Sequence, residues 1–445
     1  MNTAETPVPQ NNSLLPMMII GGLFFIFGFI TWLNGALVPF LQIVCDLNEV
    51  EAILIASTFY FAYVVMALPM ARVLDFTGYR KAMSVGLGMI SIGCVMFIPA
   101  AQAQSFGLFL AAQFCLGTGL TLLQTASNPY IVKIGPEETA AVRISIMGIL
   151  NKLAGVIAPM IFTVLVLGDF SDVSAKSIQS LTAIEREAQV SMLADGLIMP
   201  YLGMAIALAI LGLGLLKSGL PELDLSQDSN AIEGTSKETS LLAFPHLIFG
   251  ALALFVYVGV EVIAGDTIGL FGSNLGVANA TTLTSFTMAF MVIGYVFGLI
   301  LIPKVMTERY ALIGSAILGM ILSVAVVFSS TTSTALSEIL WGWMGIGVVP
   351  DTITFVALLG FANAIVWPAI WPLALKGLGE LTAKGSALLI MGIAGGAFLP
   401  LVYGGVSTAV GQQAAYWMML PCYLFILYYA IWGCKLAPRL GQQQD

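Results

Sequence analysis

Charge is what this chain has least of. Only 9% of its 445 residues are Asp, Glu, Lys or Arg, against roughly 25% in soluble domains. Such a chain cannot coat itself with a water-facing surface. Histidine occurs once, as His246 at the mouth of an apolar run, so a histidine-based metal centre is not expected. The five cysteines, Cys45, Cys94, Cys115, Cys422 and Cys434, form no CxxC or metal-ligand spacing. Four lie in or at the ends of apolar runs and read as small packing residues. No basic tract is present to hold nucleic acid. No nucleophile–base constellation or cofactor motif stands out, so neither an enzyme nor a cofactor is expected. The first fifteen residues carry one charge, Glu5, and no basic segment ahead of the first apolar run. No cleavable leader is expected.

What is abundant is apolar length. The chain is 59% hydrophobic, with a mean hydropathy of +0.97. A hydrocarbon core of about 30 Å takes roughly 20 apolar residues per helix. Twelve such runs occur, near 16–41, 50–70, 82–101, 106–132, 144–168, 194–217, 245–271, 281–303, 311–329, 351–375, 385–409 and 414–434. They are taken as spans 1 to 12 of an all-α membrane protein. Residues 218–244 are polar, with little apolar periodicity, and read as a linker between 1–217 and 245–445. The two halves repeat each other. Pro129, Lys133, Glu137 and Thr139 recur as Pro372, Lys376, Glu380 and Thr382, 243 residues later. Downstream, Ile146-Met147-Gly148 is echoed by Ile390-Met391-Gly392, and Gly155 and Pro159 by Gly396 and Pro400. In so uncharged a chain, an aligned Lys and Glu mark duplication. Two pseudo-symmetric six-helix bundles follow, an architecture that holds a substrate between its halves.

Placing the N-terminus inside puts 13 Lys and Arg in inner loops and 2, Lys176 and Arg186, in outer ones, with Lys152 left inside a span. That bias predicts that both termini are cytoplasmic. The outer loop 169–193 is polar, and its Thr182–Ser191 stretch fits a short surface helix. Residues 330–350 contain Ile339-Leu340-Trp341-Gly342-Trp343. They read as an interfacial segment, since Trp favours the headgroup level, or as a longer tenth span. Glycine is common, at 46 residues, and most of it reads as helix packing.

Three groups of residues carry chemistry. The loop after span 2 includes Asp75, Gly78, Arg80 and Lys81. It resembles the G-x-x-x-D-x-x-G-R-K/R signature of the major facilitator superfamily, with Ala71 for the first Gly and Tyr79 inserted. Such a loop is a conformational latch: Asp75 pairs with cations in one state and releases them in the other. An ordinary positive-inside loop has a similar composition. The second group is the charges inside spans: Lys152, Glu261 and Asp266. Each costs about 2.5–3.5 kcal/mol at a helix centre, so each needs water or a partner. Lys152 lies nine residues beyond Arg143, about 13 Å deep at 1.5 Å per residue. Gln124 is at similar depth in span 4, and Asn128 and Asn151 add polar groups. Glu261 is farther from the inner face, so a direct contact with Lys152 does not follow from depth. Asp266 is five residues on, about 140° around a regular helix. The two carboxylates share a cavity only if span 7 bends, which Gly259 and Gly265 would permit. Asp266 also fits a charge at the outer rim. For all three, a structural ion pair is the plainer reading. The third group is Trp32 and Asn34 in span 1, with Asn363, Trp367 and Trp371 at i, i+4 and i+8 in span 10. Indoles and amides suit the C–H faces and hydroxyls of a sugar; an aromatic belt is the alternative.

At these residues the chain resembles a sugar transporter of the fucose–galactose–glucose permease family, within the major facilitator superfamily. The motifs are Leu33-Asn34 with Leu37-Val38-Pro39, Gln124-Thr125-Ala126 with Asn128-Pro129, Tyr257-Val258-Gly259 with Glu261-Val262, and Ala394-Gly395-Gly396 with Pro400. The resemblance covers nearly the whole chain. It implies the major facilitator fold, alternating access, and import of a monosaccharide driven by a cation, by one chain in a bacterial inner membrane. Fucose permeases use an acid in span 1 and a Glu in span 4; here those positions are Gly35 and Gln124. Gln at the span 4 position is similar to sodium-coupled glucose/galactose members. Most members keep the span 1 acid, so the coupling site here must differ. Expected partners are a hexose, a coupling cation (sodium in preference to a proton) and lipid. The expected sugar-binding residues are Trp32, Asn34, Gln124, Asn128, Asn151, Lys152, Glu261, Asn363 and Trp367. Glu261, Asp266 and Lys152 are expected to couple the cation, with a sodium site near Glu261. A proton symporter of fucose or an N-acetylhexosamine, and a uniporter or exporter of another solute, are the rivals.

Overall fold

The computed structural model of the protein describes residues 14–135, 140–168, 178, 181–222, 241–302, 304–378 and 381–436. Glu137, Thr139 and Glu380 of the repeat, and linker residues 223–240, lie outside them. The described residues form helices and no strand. Twelve helices are long and apolar enough to cross a membrane: Leu14–Val44, Glu49–Thr77, Tyr79–Gln102, Phe106–Ile131, Val142–Leu167, Ala183–Leu216, Pro245–Leu275, Ala280–Leu301, Glu308–Phe328, Asp351–Leu375, Leu388–Val410 and Gln412–Lys435. These are spans 1 to 12, each overlapping its expected run.

Local chemistry sets several of the ends. Asn48 caps span 2 by accepting from the Glu51 amide, while the Glu51 carboxylate accepts from the Asn48 amide, both at 2.9 Å. This reciprocal box satisfies two orphan donors. Gly78 joins spans 2 and 3 at φ 76°, a left-handed conformation that favours glycine. Thr182 and Glu185 make a second capping box. The helix they start, Ala183–Gly196, is longer than expected and leads into span 6. Residues 330–350 are not part of span 10; they form two short helical elements, Ala335–Leu340 and Gly342–Met344. Trp341 is buried against Phe286 and Phe290 of span 8, while Trp343 is exposed.

The two bundles use the same contacts. Within spans 1–6 the main pairs are 1 with 5, 2 with 4, 3 with 4 and 3 with 6; within spans 7–12 they are 7 with 11, 8 with 10, 9 with 10 and 9 with 12. Adding six to each number converts one set into the other. Close approach has the same cause in both halves. A Cβ on Gly28 of span 1 would meet the Asn151 carbonyl oxygen of span 5, and one on Gly395 of span 11 would meet that of Phe255 in span 7. Small residues let such helices touch backbone to backbone.

The bundles meet along two seams, span 5 against span 8 and span 2 against span 11. Spans 1 and 7 each break at one residue, Leu33 and Thr267. Their second halves, Asn34–Val44 and Ile268–Leu275, pack together on the face away from the chain's ends. Gly269 sits against the Gly35 carbonyl oxygen and Pro39. At the edge of this contact Glu49 accepts from Asn274 of span 7 (3.2 Å) and Ser407 of span 11 (2.8 Å). On the opposite face the inner halves of spans 4 and 10 make no comparable contact among the described residues. The protein is therefore closed on the far face. A cavity of about 570 Å³ remains there, lined by Gln42, Glu49, Phe271, Asn274 and Gln412 among others. It lies well away from the charged pair described next.

Candidate functional site

The centre of the site is an ion pair across the two bundles. Lys152 of span 5 places its Nζ 2.6 Å from Glu261 Oε1 of span 7. Both residues are buried, at 8% and 7% exposure. Depth alone did not assure this contact; the bundles bring the two side chains together. The Lys152 ammonium also lies 4.3 Å from the Trp32 ring centroid, within cation–π range. Asn151 fixes that ring: its Oδ1 accepts from Trp32 Nε1 (3.3 Å), and its Nδ2 donates to the Phe24 carbonyl (3.4 Å). Trp32, Asn151, Lys152 and Glu261 thus form one constellation.

Aromatic residues surround it. Tyr257 is one turn before Glu261 and interacts with it, and its ring lies 6.4 Å from Trp367. Trp367 lies 5.7 Å from Trp371, whose indole nitrogen is buried without a partner. Tyr295 of span 8 packs with Trp32 and Met288. On the other bundle Gln124 donates to the Tyr63 hydroxyl at 2.8 Å. Asn128, one turn on, is half-buried and makes no hydrogen bond among the described residues. Tyr60, Tyr63 and Tyr295 were not singled out from sequence, and Tyr257 entered only as part of a family motif with no role given to it. Their mid-span position, one turn from a charge or amide in the case of Tyr257, was the available signal.

Two expected residues are turned away. Asn34 follows the break in span 1, and its Oδ1 accepts from Gln113 of span 4 at 2.8 Å, inside the first bundle. Asn363 precedes the break between Asn363 and Val366 in span 10. It accepts from Tyr423 of span 12 at 2.8 Å. An unbroken helix would have put Asn363 on the face of Trp367. Pro368 supplies no amide hydrogen and disfavours that geometry.

Asp266 and Glu261 lie about 140° apart around span 7, yet both act on Tyr60 of span 2 and Lys152 acts on both. Span 7 does not unwind at Gly259 or Gly265; it breaks at Thr267, one residue past Asp266. The two carboxylates keep their separation around the helix. Glu261 and Gly265 face spans 1 and 5, where Gly265 abuts Trp32. Asp266 faces Tyr60 of span 2. It is a fully enclosed group, 1% exposed, and not a rim charge in water. No group of three or more His, Cys, Asp or Glu suited to a metal occurs among the described residues.

At the latch, Asp75 is exposed and makes no ion pair among the described residues. Lys81 is exposed as well. Arg80 instead pairs with Glu222, just past span 6 (3.5 Å), and its Nη1 donates to the Ser218 carbonyl. Glu222 was not foreseen. A pair this exposed is worth little in stability; it ties the end of span 6 to the start of span 3.

Comparison with known proteins places this geometry. A glucose/galactose transporter of Brucella abortus is 34% identical over 444 residues, covering 97% of this chain and 99% of its own. The L-fucose-proton symporter of Escherichia coli is 28% identical over 414 residues, covering 90% of this chain and 88% of its own. Among solved structures, the transporter FucP in its outward conformation aligns with a TM-score of 0.69 at 24% identity, over 95% of this chain and 99% of that one; this likeness is one of fold. A family model described as Major Facilitator Superfamily matches residues 20–399. The chain belongs to the Major Facilitator Superfamily: it is a multi-pass membrane transporter, not an enzyme.

Proposed function

We propose that the protein imports a monosaccharide, a hexose such as glucose or galactose, by cation symport and alternating access. The units that rock are 1–217 and 245–445, tethered by 218–244, in a bacterial inner membrane with both termini cytoplasmic. One chain suffices. The observation that carries this reading is the Lys152–Glu261 pair with Trp32 laid against it, at mid-span on the seam between bundles. Charges at that depth are retained for function, and an indole beside them offers a sugar ring its apolar face. The relative named as a glucose/galactose transporter supports the substrate class. Trp32, Gln124, Asn128, Asn151, Lys152, Glu261 and Trp367 contact the sugar, with Asn34 and Asn363 one layer behind. Asp75, Gly78, Arg80 and Lys81 form the inner-face latch, released in the present state.

Sodium is favoured over a proton because the expected relay acids are absent: the positions hold Gly35 and Gln124. The L-fucose-proton symporter among the relatives supports the proton alternative. Uptake of labelled hexoses and N-acetylhexosamines into right-side-out vesicles tests the substrate. A sodium gradient at clamped pH tests the ion. Accumulation with sodium is expected, and accumulation only with a proton gradient rejects sodium. Glu261→Gln should abolish concentrative uptake; wild-type accumulation in that variant removes Glu261 from coupling.

A further inference from the structure

Span 7 carries two carboxylates, and only one is neutralised. Glu261 is held by Lys152. Asp266 has neither oxygen hydrogen-bonded, at 1% exposure. A bare carboxylate in so dry a place is strongly disfavoured. Its surroundings increase the negative potential. Glu261, five residues back on the same helix, adds to it, and Lys152 offsets part of it. The carbonyls of Gly265 and Ala264 are already satisfied by Thr284 (2.7 Å) and Thr287 (3.1 Å) of span 8, so the unmet demand belongs to the carboxylate. Across the seam, the Tyr60 hydroxyl interacts with Asp266 and makes no hydrogen bond of its own. Ser57, one turn away on span 2, is also buried with a free hydroxyl. The charged and titratable groups that act on Asp266 are Tyr60 from span 2, Lys152 from span 5 and Glu261 from its own helix. Spans 1, 8 and 11 present no ionised side chain to it among the described residues.

We propose that Asp266, with the Tyr60 hydroxyl facing it, is the seat of the coupling cation, a proton or a sodium ion, and that its occupancy permits the far-face gate to close. The gate begins one residue beyond Asp266, where Ile268–Leu275 packs on Asn34–Val44. When those halves separate, Asp266 meets water from that side and can load. Closing over it while it is bare buries an uncompensated charge; closing over a neutralised one does not. Lys152 cannot serve, because Glu261 holds it. This rests on the transport reading and specifies its ion site.

The test uses the full-length protein in liposomes. Native cysteines are replaced and spin labels placed at Asp46→Cys and Ala278→Cys on the far face. The inter-label distance distribution is measured at alkaline pH without sodium, at the same pH with sodium, and at acid pH without sodium. In the wild-type background one of the two cations should raise the closed:open ratio by about a hundredfold, sodium and acid identifying the ion between them. Asp266→Asn should be closed under all three conditions. Asp266→Ser is a second neutral replacement should the Asn variant not fold. A full cation response that survives in the neutral variants overturns the proposal while gradient-driven sugar accumulation by the wild type keeps the transport reading standing. A wild-type gate indifferent to both cations overturns the proposal, and absence of any gradient-driven accumulation overturns both.

Discussion

Removing one member of the Lys152–Glu261 pair should cost far more than removing both. The pair is 2.6 Å long, with side-chain exposures of 10% and 8%. Stranding one charge of a buried pair costs about 3–5 kcal/mol. The lower end applies to Glu261→Gln, because Trp32 stays 4.3 Å from the ammonium and Asp266 still attracts it. About 3 kcal/mol is a factor of roughly 150 in the unfolding equilibrium. Lys152→Met, which leaves two carboxylates unopposed on span 7, should cost at least as much. The double variant carries neither stranded charge and should return to within about 1 kcal/mol of wild type. Unfolding titrations of the four proteins in mixed micelles give the coupling energy directly. Additive single effects, with a coupling below about 1 kcal/mol, would refute the argument. Transport adds a second readout. In Glu261→Gln the freed ammonium becomes a tethered cation for Asp266, and accumulation is lost because no external ion is then required. Lys152→Met/Glu261→Gln removes that tethered cation but also both charged sugar contacts, so accumulation should stay lost while the gate's response to the coupling cation returns.

Two further outcomes concern the gate. Gly35 faces Thr284, and a Cβ there would collide with its hydroxyl; Gly35→Asp should therefore hold the far face open instead of supplying a proton relay. Overpacking costs about 1–3 kcal/mol, and labelling of Ser273→Cys from the far side should rise roughly thirtyfold, with an unchanged rate counting against it. Glu49→Ala removes both cross-bundle hydrogen bonds, from Asn274 and Ser407. A partly exposed carboxylate with two such bonds should contribute about 1–2 kcal/mol, so the same cysteine should label about tenfold faster and a rate equal to wild type would dismiss Glu49 as a clasp.

Much of the fold was legible because membranes enforce a simple rule: a span needs apolar length, and backbone groups must pair within it. The twelve runs follow from it, and the duplication was legible in the repeated Pro129–Lys133 and Pro372–Lys376 spacings. The depth of Lys152 was legible too, since a lone charge stands out in an apolar helix. Direction was not. Asn363, Trp367 and Trp371 share a face only on an unbroken helix, and the break before Val366 sends Asn363 to Tyr423. Asn34, placed just after another break, goes to Gln113 for the same reason. Spacing registers rotation about one axis, and a broken span has two. Glu222 and Glu49 escaped notice because each is an ordinary end-of-helix carboxylate until the fold supplies Arg80 or Ser407.

The breaks also explain where function divides between the halves. Spans 1 and 7 share one plan: a long helix, an interruption at one residue that keeps right-handed dihedrals, then a short helix that closes the far face. The residue before the break is Trp32 in one copy and Asp266 in the other. Both sit where the long helix joins the short one that packs at the far face, so both would experience closure directly on the proposed mechanism. An indole there loses water readily and can lie against a sugar or an ammonium. A carboxylate there resists losing water unless a cation comes with it. On the proposed transport reading, one hinge position would test for the sugar side of the cargo and its counterpart for the ion. Closure is favourable only when both are answered, which is the differential affinity between states that coupled transport requires.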